Sequence, residues 1–297
     1  MKTTSPFPDI SQKQITGIIG RSLGHTLSPL MHNTAYKELN LNFTYGVFQV
    51  APDMLRPLVE TMKQLGIRGA NVTIPYKQDI MHYVDHMADD ARSVGAVNTI
   101  VNDNGQLTGY NTDIDGVRGT VLPFSREIRG GTVVILGAGG AARAVLHALA
   151  TSFAPQRIVI VNRTAATASA LALEAEGKYS SVSIVAATDD AMAVREIQEA
   201  VLIVNATSVG MSPVTDASPL PANIILRKDQ IVFDTIYSPA RTVLLQNAAR
   251  DGARTLSGVD MLLEQGSKAF SLFTGHHFPM VAARTAVHQA LTQELHT

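Results

Sequence analysis

Short runs of Ile and Val alternate with stretches whose apolar residues recur at helical spacing, a pattern that predicts parallel strands joined by crossover helices. Ile15–Gly20 reads as a strand, followed by a loop and a helix from about Pro29 to Leu39. Phe43–Val50 reads as a second strand and Pro52–Leu65 as a second helix, with proline tolerated in its first turn. Ile67–Thr73 follows as a third strand, before a helix from about Lys77. Residues 99–102 and 106–108 flank Asn104-Gly105, a pair that supplies the positive φ angles of a tight hairpin turn.

A new unit opens near Asp113 with a helical stretch. Thr132–Leu136 is apolar without alternation, the mark of a strand buried on both faces. Further strands are predicted at Arg157–Val161, Val182–Ala186, Val201–Val204 and Gln230–Phe233, with a short one at Arg254–Leu256. Helical patterns separate most of them, which is the rhythm of a doubly wound nucleotide-binding domain. Two helical stretches, about Gly258–Phe273 and Pro279–Leu295, end the pattern. At 297 residues the chain can hold two cores.

Composition narrows the function. Hydrophobic residues make up 45% against 16% charged, which excludes a largely disordered chain. Net charge is −1 and the Lys and Arg residues are scattered, so no basic field is expected to bind nucleic acid or membrane. No apolar stretch is long enough for a membrane span. The absence of cysteine excludes a disulfide framework, a thiolate zinc site and a cysteine nucleophile, and it suits the cytoplasm. Met1–Lys13 is polar, carries Pro6 and Pro8, and reads as a short loose tail rather than a signal peptide. No metal site is expected.

Gly137-Ala138-Gly139-Gly140-Ala141-Ala142 follows a predicted strand directly and opens an alanine-rich helix. The first glycine permits the turn, the second admits a pyrophosphate against the backbone, and small Ala142 lets helix and strand pack closely. The helix N-terminus offers its free N–H groups to the phosphates. The next strand ends at Asn162-Arg163-Thr164, where a dinucleotide fold reads the adenosine ribose. No carboxylate stands there. A guanidinium can bind a 2′-phosphate that a carboxylate would repel, so Arg163 favours NADP over NAD; the bland alternative is an exposed loop cation.

Polar groups also cluster in the first third. Thr26 and Ser28 lie two residues apart before a helix and could grip a carboxylate, while Ser28 also reads as an N-cap ahead of Pro29. Asn71, Thr73 and Lys77 sit at a strand end, where sites of open α/β sheets lie. Asn98, Asn111 and Asp113 add polar side chains beside apolar strands, although isolated Asn and Asp residues commonly serve turns.

With these motifs in their order, the chain resembles the shikimate dehydrogenase family, including its quinate/shikimate relatives. The resemblance rests on His25–Pro29 with His32-Asn33, Asn71–Lys77, Gly95–Thr99 and Asn111–Asp113. It continues through Gly137–Ala141, Asn162–Thr164, Asn205–Met211, Asp234–Tyr237 and Gly258–Gln265. It implies an α/β protein of two domains: a three-layer substrate domain, residues 1–113 completed by helices in 258–297, and a Rossmann-type NADP domain, residues 114–257. It implies reversible hydride transfer between NADPH and 3-dehydroshikimate, with Lys77 and Asp113 as the catalytic pair.

Thr26 and Ser28 would hold the substrate carboxylate. Thr73, Asn98, Asn111 and Asp113 would meet its hydroxyls, and Tyr237 and Gln265 would reach it from across the cleft. Gly137, Ala138, Gly139, Gly140, Ala141, Asn162, Arg163 and Thr164 would hold the cofactor, with Thr207, Thr235 and Gly258 near its nicotinamide half. The partners implied are small molecules, with the chain a monomer or homodimer.

Two positions depart from the family: Thr26 stands where Ser is usual, and Thr167 where NADP-specific members often carry a basic residue. They leave open a quinate/shikimate dehydrogenase with relaxed use of NAD. Methylenetetrahydrofolate dehydrogenase is a second enzyme reading, less suited to the hydroxyl and Asn/Asp cluster; glutamyl-tRNA reductase needs a cysteine. A non-catalytic, ligand-sensing member of the fold is the reading from another class, opposed by intact Lys77 and Asp113.

Overall fold

The computed structural model describes residues 13–24, 26–221 and 223–294. The tail expected over Met1–Lys13 lies outside them except for Lys13, as do His25 of the hydroxyl motif and the end of the last helix at Leu295.

The strands are β1 (Gln14–Gly20), β2 (Phe43–Gln49), β3 (Gly69–Val72), β4 (His86–Met87), β5 (Thr99–Asp103), β6 (Gln106–Tyr110), β7 (Thr132–Leu136), β8 (Arg157–Val161), β9 (Ser183–Ala186), β10 (Leu202–Asn205), β11 (Ile231–Asp234) and β12 (Arg254–Leu256). The helices are α1 (Ser28–Glu38), α2 (Leu55–Leu65), α3 (Asp89–Val94), α4 (Asp113–Val121), α5 (Ser125–Ile128), α6 (Gly140–Ser152), α7 (Ala165–Glu176), α8 (Asp190–Glu199), α9 (Val243–Asp251), α10 (Gly258–Thr274) and α11 (Met280–Glu294). Among the described residues two compact units result: those within 13–92, 97–110 and 266–294 form the first, and those within 93–96 and 111–265 the second.

The first unit is a sheet of order β2-β1-β3-β5-β6-β4. β1 runs parallel to β2 and β3, whereas β5 is antiparallel to β3 and β6. Asn104 and Gly105 both have positive φ, 54° and 89°, as their hairpin requires. Both faces are covered. Ile19, Val72 and Ile100 pack with Leu55 and Val59 of α2, while Ile18 and Val101 pack with Tyr36 of α1 and Phe270 of α10. The Arg68 guanidinium donates to the Phe273 and Leu272 carbonyls in the last turn of α10, at 2.8 and 3.3 Å, and to Asp103. A cation at a helix C-terminus satisfies carbonyls that have no partner within the helix.

The second unit is a sheet of order β12-β11-β10-β7-β8-β9, parallel throughout, the doubly wound arrangement. Its strands bury alternate residues on opposite faces. Val133, Ile135, Ile158 and Ile160 join Val145 and Leu149 of α6, whereas Val134, Val159 and Ile203 join Ile197 of α8 and Leu244 of α9. Double burial explains why these strands lack alternation in sequence.

Two expectations are corrected. No α-helix starts at Lys77; residues 74–78 turn and Asp79–His82 is a single 3-10 turn, and the Lys77 carbonyl accepts the Val97 N–H instead of a helical one. The compact units divide at 110/111 and 265/266, beside the domain bounds of 113 and 258 expected from the sequence. The cause is close packing between α4 and α10: a Cβ on Gly116 would lie 2.9 Å from the Met261 side chain and 3.1 Å from that of Gln265. The helical stretch after Asp113 is divided at Pro123 into α4, a 3-10 turn and α5.

Candidate active site and cofactor loop

In the first unit the candidate residues lie where β1 and β3 end and β5 begins. Ser28 does not take its expected N-cap role. Leu27 precedes α1 and Ser28 is its first residue, so Ser28 is not the N-cap; the Thr26 hydroxyl instead accepts the Ser28 N–H at 3.4 Å. Thr73 closes β3, its N–H donating to the Ile19 carbonyl at 2.9 Å and its carbonyl accepting from Tyr76 at 2.9 Å. Tyr76 is buried and donates its hydroxyl to the Val50 carbonyl at 2.7 Å, and the Lys77 carbonyl takes the Val97 N–H at 2.8 Å. These bonds hold half-exposed Lys77 on an anchored turn beside the segment that leads through Asn98 into β5.

Asn98 is buried, and its side-chain oxygen accepts from the Thr99 hydroxyl at 3.1 Å. Asn71, a candidate for direct contact on sequence grounds, is committed elsewhere. Its oxygen accepts from the Tyr45 hydroxyl at 2.7 Å and its NH2 donates to Thr99 Oγ1 at 2.9 Å. Beside Tyr45 lies His32, fully buried and stacked on the Tyr45 ring at 4.4 Å and 4°. Burial lowers the His32 pKa to about 3, so the imidazole is neutral.

In the second unit Asp113 is buried in the first turn of α4, where the positive end of the helix dipole suits a carboxylate. Asn111 donates Nδ2 to the Ala96 carbonyl at 2.9 Å, while its buried Oδ1 has no partner among the described residues. Gln265 accepts from the Thr112 hydroxyl at 3.3 Å and donates to the Leu262 carbonyl at 2.9 Å. Tyr237 is half-buried in the loop after β11.

The glycine loop separates two causes for glycine. Gly137 has φ 109°, donates to the Val161 carbonyl at 2.7 Å, and would bring a Cβ within 3.0 Å of the Ala206 carbonyl oxygen. The protein's own backbone therefore requires it. Gly139 has ordinary extended angles, φ −88° and ψ −166°, and a Cβ there would meet no protein atom within 4 Å. Neither packing nor strain demands glycine at that position, whereas a dinucleotide pyrophosphate does. Gly140, Ala141 and buried Ala142 then open α6, with N–H groups available to phosphate.

Asn162 donates its side-chain NH2 to the Thr164 carbonyl at 3.0 Å and so shapes the turn that carries Arg163. Arg163 is exposed and pairs with no carboxylate among the described residues. Ala138 and Thr164 complete this rim. These residues fit NADP.

Asn205 and Asp234, quoted in motifs but given no role, organise the opposite loops. The Asn205 side-chain oxygen accepts from the N–H and hydroxyl of Thr207 at 3.0 and 2.7 Å, and its NH2 donates to Asp234 at 3.0 Å. Asp234 also accepts from Thr242 at 2.6 Å and from the Ile236 N–H at 3.1 Å. Burial lifts the Asp234 carboxyl above the ordinary range, and those three hydrogen bonds pull the other way. A polar residue ending a continuous apolar strand was the available signal, since such a group must find partners. Gly258 packs directly on this segment: a Cβ would lie 2.4 Å from the Thr235 carbonyl oxygen. Its glycine is thus explained by packing next to Thr235.

Residues 18–100 match the sequence profile of the shikimate dehydrogenase substrate binding domain, and residues 133–218 that of the saccharopine dehydrogenase NADP binding domain. A shikimate dehydrogenase (NADP(+)) of Methanopyrus kandleri is 44% identical, covering 93% of this chain and 96% of that one. The chain belongs to the shikimate dehydrogenase family. A shikimate dehydrogenase structure from Listeria monocytogenes, solved with shikimate and NAD, is 35% identical with a TM-score of 0.85, covering 96% of this chain and 99% of that one. Within the wider family, a quinate dehydrogenase from Corynebacterium glutamicum in complex with NAD is 31% identical with a TM-score of 0.84, covering 93% and 99%. Among the described residues no helix is long and apolar enough to cross a membrane.

Proposed function

We propose that this chain interconverts 3-dehydroshikimate and shikimate with NADP. The enzyme is an NADP-dependent oxidoreductase acting on a CH–OH group. The observation that carries the substrate reading is the buried, unpartnered Oδ1 of Asn111. Its amide nitrogen is already committed, and a buried acceptor without a donor is costly unless a ligand supplies one. A ring hydroxyl is such a donor.

When bound, NADPH supplies hydride to the ketone carbon. The Lys77 ammonium donates its proton to the oxygen as negative charge develops there, and in reverse its neutral amine takes the hydroxyl proton. Asp113 contributes the carboxylate of the catalytic pair. Thr26 and Ser28 offer hydroxyls to the carboxylate, while Thr73, Asn98, Asn111, Tyr237 and Gln265 bind the remaining polar groups. Arg163 holds the 2′-phosphate, with Asn162 and Thr164 shaping its turn; Gly137 to Ala141 receive the pyrophosphate, and Thr207, Thr235 and Gly258 flank the nicotinamide half.

Thr26 and Thr167 favour a second reading, quinate as an additional substrate and NAD as an additional cofactor. The methyl of Thr26 reshapes the carboxylate grip, and Thr167 adds no second cation for the phosphate. We place the enzyme in the cytoplasm as a monomer or homodimer. Nicotinamide absorbance followed with shikimate and quinate, each against NADP and NAD, tests both readings. Turnover with shikimate and NADP above the other three pairs is expected. No absorbance change with either acid would overturn the dehydrogenase reading in favour of a ligand-sensing one.

A further inference from the structure

Four buried polar side chains, Tyr45 on β2, Asn71 on β3, Thr99 on β5 and Asn98 just before it, form a single chain of hydrogen bonds within the first unit. Its direction can be worked out. The Asn98 backbone carbonyl, which can only accept, faces Asn71 Nδ2 at 3.4 Å. That contact fixes the Asn71 amide: NH2 toward β5, oxygen toward Tyr45. Tyr45 must then donate, at 2.7 Å. Thr99 Oγ1 receives the Asn71 NH2 at 2.9 Å, so its one proton goes to Asn98 Oδ1 at 3.1 Å. The Asn98 carboxamide is left with its oxygen bound to Thr99 and its NH2 on the other side.

We propose that Tyr45, Asn71 and Thr99 are positioning residues, a one-way relay that locks the Asn98 carboxamide NH2-outward so that it donates to a ring hydroxyl of the substrate. The inference rests on the reading of Asn98 as a substrate-binding residue. An unlocked carboxamide presents oxygen or nitrogen with nearly equal shape, and only one of them is a donor. The relay removes that ambiguity before substrate arrives, which is preorganisation. Its far end is stiff as well: the Tyr45 ring stacks on His32 at 4.4 Å, within the aromatic cluster of Tyr36, Phe270, Phe273 and Phe278.

Steady-state kinetics on the full chain with shikimate and NADP provide the test. Thr99→Val deletes the hydroxyl and keeps the shape. It should raise the KM for shikimate about tenfold, change kcat less than about threefold and leave the KM for NADP unaltered. Thr99→Ser restores the hydroxyl and should return the shikimate KM to within about twofold of wild type. Asn98→Ala calibrates the scale with a loss at least as large as that of Thr99→Val.

A Thr99→Val enzyme with wild-type shikimate KM beside an impaired Asn98→Ala would overturn the relay alone. So would equal impairment by Val and Ser, because the methyl rather than the hydroxyl would then be at stake. An unimpaired Asn98→Ala would instead remove Asn98 from the substrate, and the relay's purpose with it. If Thr99→Val does not fold, Tyr45→Phe decides. It keeps the ring stack and removes only the first donor; a rise of about threefold in shikimate KM supports the relay and no change overturns it.

Discussion

Replacing Gly137 and Gly139 separately by alanine should produce opposite phenotypes from two positions of one motif. At Gly137 the backbone has φ 109°, and the new Cβ would stand 3.0 Å from both the Ala206 carbonyl oxygen and Thr207 Cγ2. A side chain held in that region of φ costs about 1–3 kcal/mol, and with the added crowding the loss should reach about 3 kcal/mol. For a unit of this size that corresponds to roughly 6–12 °C in Tm.

At Gly139 the angles are ordinary and the Cβ meets nothing. Tm should hold or rise slightly, because alanine restricts the unfolded chain. The methyl would, however, occupy space that a pyrophosphate needs, so the KM for NADP should rise about tenfold or more. Thermal melts without cofactor, paired with NADP titrations at saturating shikimate, measure both quantities. A Gly139→Ala protein that melts as early as Gly137→Ala, or one that keeps its wild-type KM for NADP, would refute the assignment of the second glycine to the ligand.

Arg163→Ala should raise the KM for NADP about tenfold and leave that for NAD nearly unchanged, as comparative kinetics with the two cofactors would show; equal effects would remove the 2′-phosphate contact. Lys77→Ala should lower turnover by roughly 10²–10⁴-fold while cofactor binding, followed by fluorescence titration, stays near normal. His32 makes a prediction about pH. Its folded pKa is about 3 and its unfolded value 6.5, so the unfolded chain takes up the proton first. The stability it protects is complete above pH 6.5 and is lost as pH falls toward 3, by about 1.4 kcal/mol per unit inside that window. Denaturant midpoints at pH 7 and 4.5 should therefore differ less in His32→Phe than in wild type, and equal differences would contradict a buried neutral imidazole.

The second unit was the more legible in sequence, and the reason is double burial. Strands covered on both faces must be apolar without interruption, so Thr132–Leu136 and the inner strands beside it stood out with boundaries shifted by at most one residue. The segment after Lys77 was not legible. Its 3-10 turn, the two-residue β4 and the short α3 leave no room for a periodic pattern, and their geometry is set by bonds to distant partners. The Asp85 carboxylate is one of these: it takes the Leu107 N–H at 2.7 Å and the Lys63 ammonium at 2.8 Å. Likewise the seam at Gln265 depends on two helices meeting at Gly116, far apart in sequence.

Residue type and residue direction are different kinds of information. The sequence marks Asn71, Asn98 and Asn111 alike as amides beside apolar strands, and by type alone each could donate or accept. Their surroundings divide them. Asn71 spends both ends on Tyr45 and Thr99, Asn98 is bound through its oxygen, and Asn111 through its nitrogen. Each direction is imposed by a backbone carbonyl or a hydroxyl supplied by another strand or loop. A hydroxyl both donates and accepts, so a polyhydroxy acid can satisfy a fixed donor and a fixed acceptor with the same chemical group. On the proposed reading of Asn111, a substrate lacking such groups would leave its oxygen buried and unpaired among the described residues, and that penalty would favour a ring rich in hydroxyls.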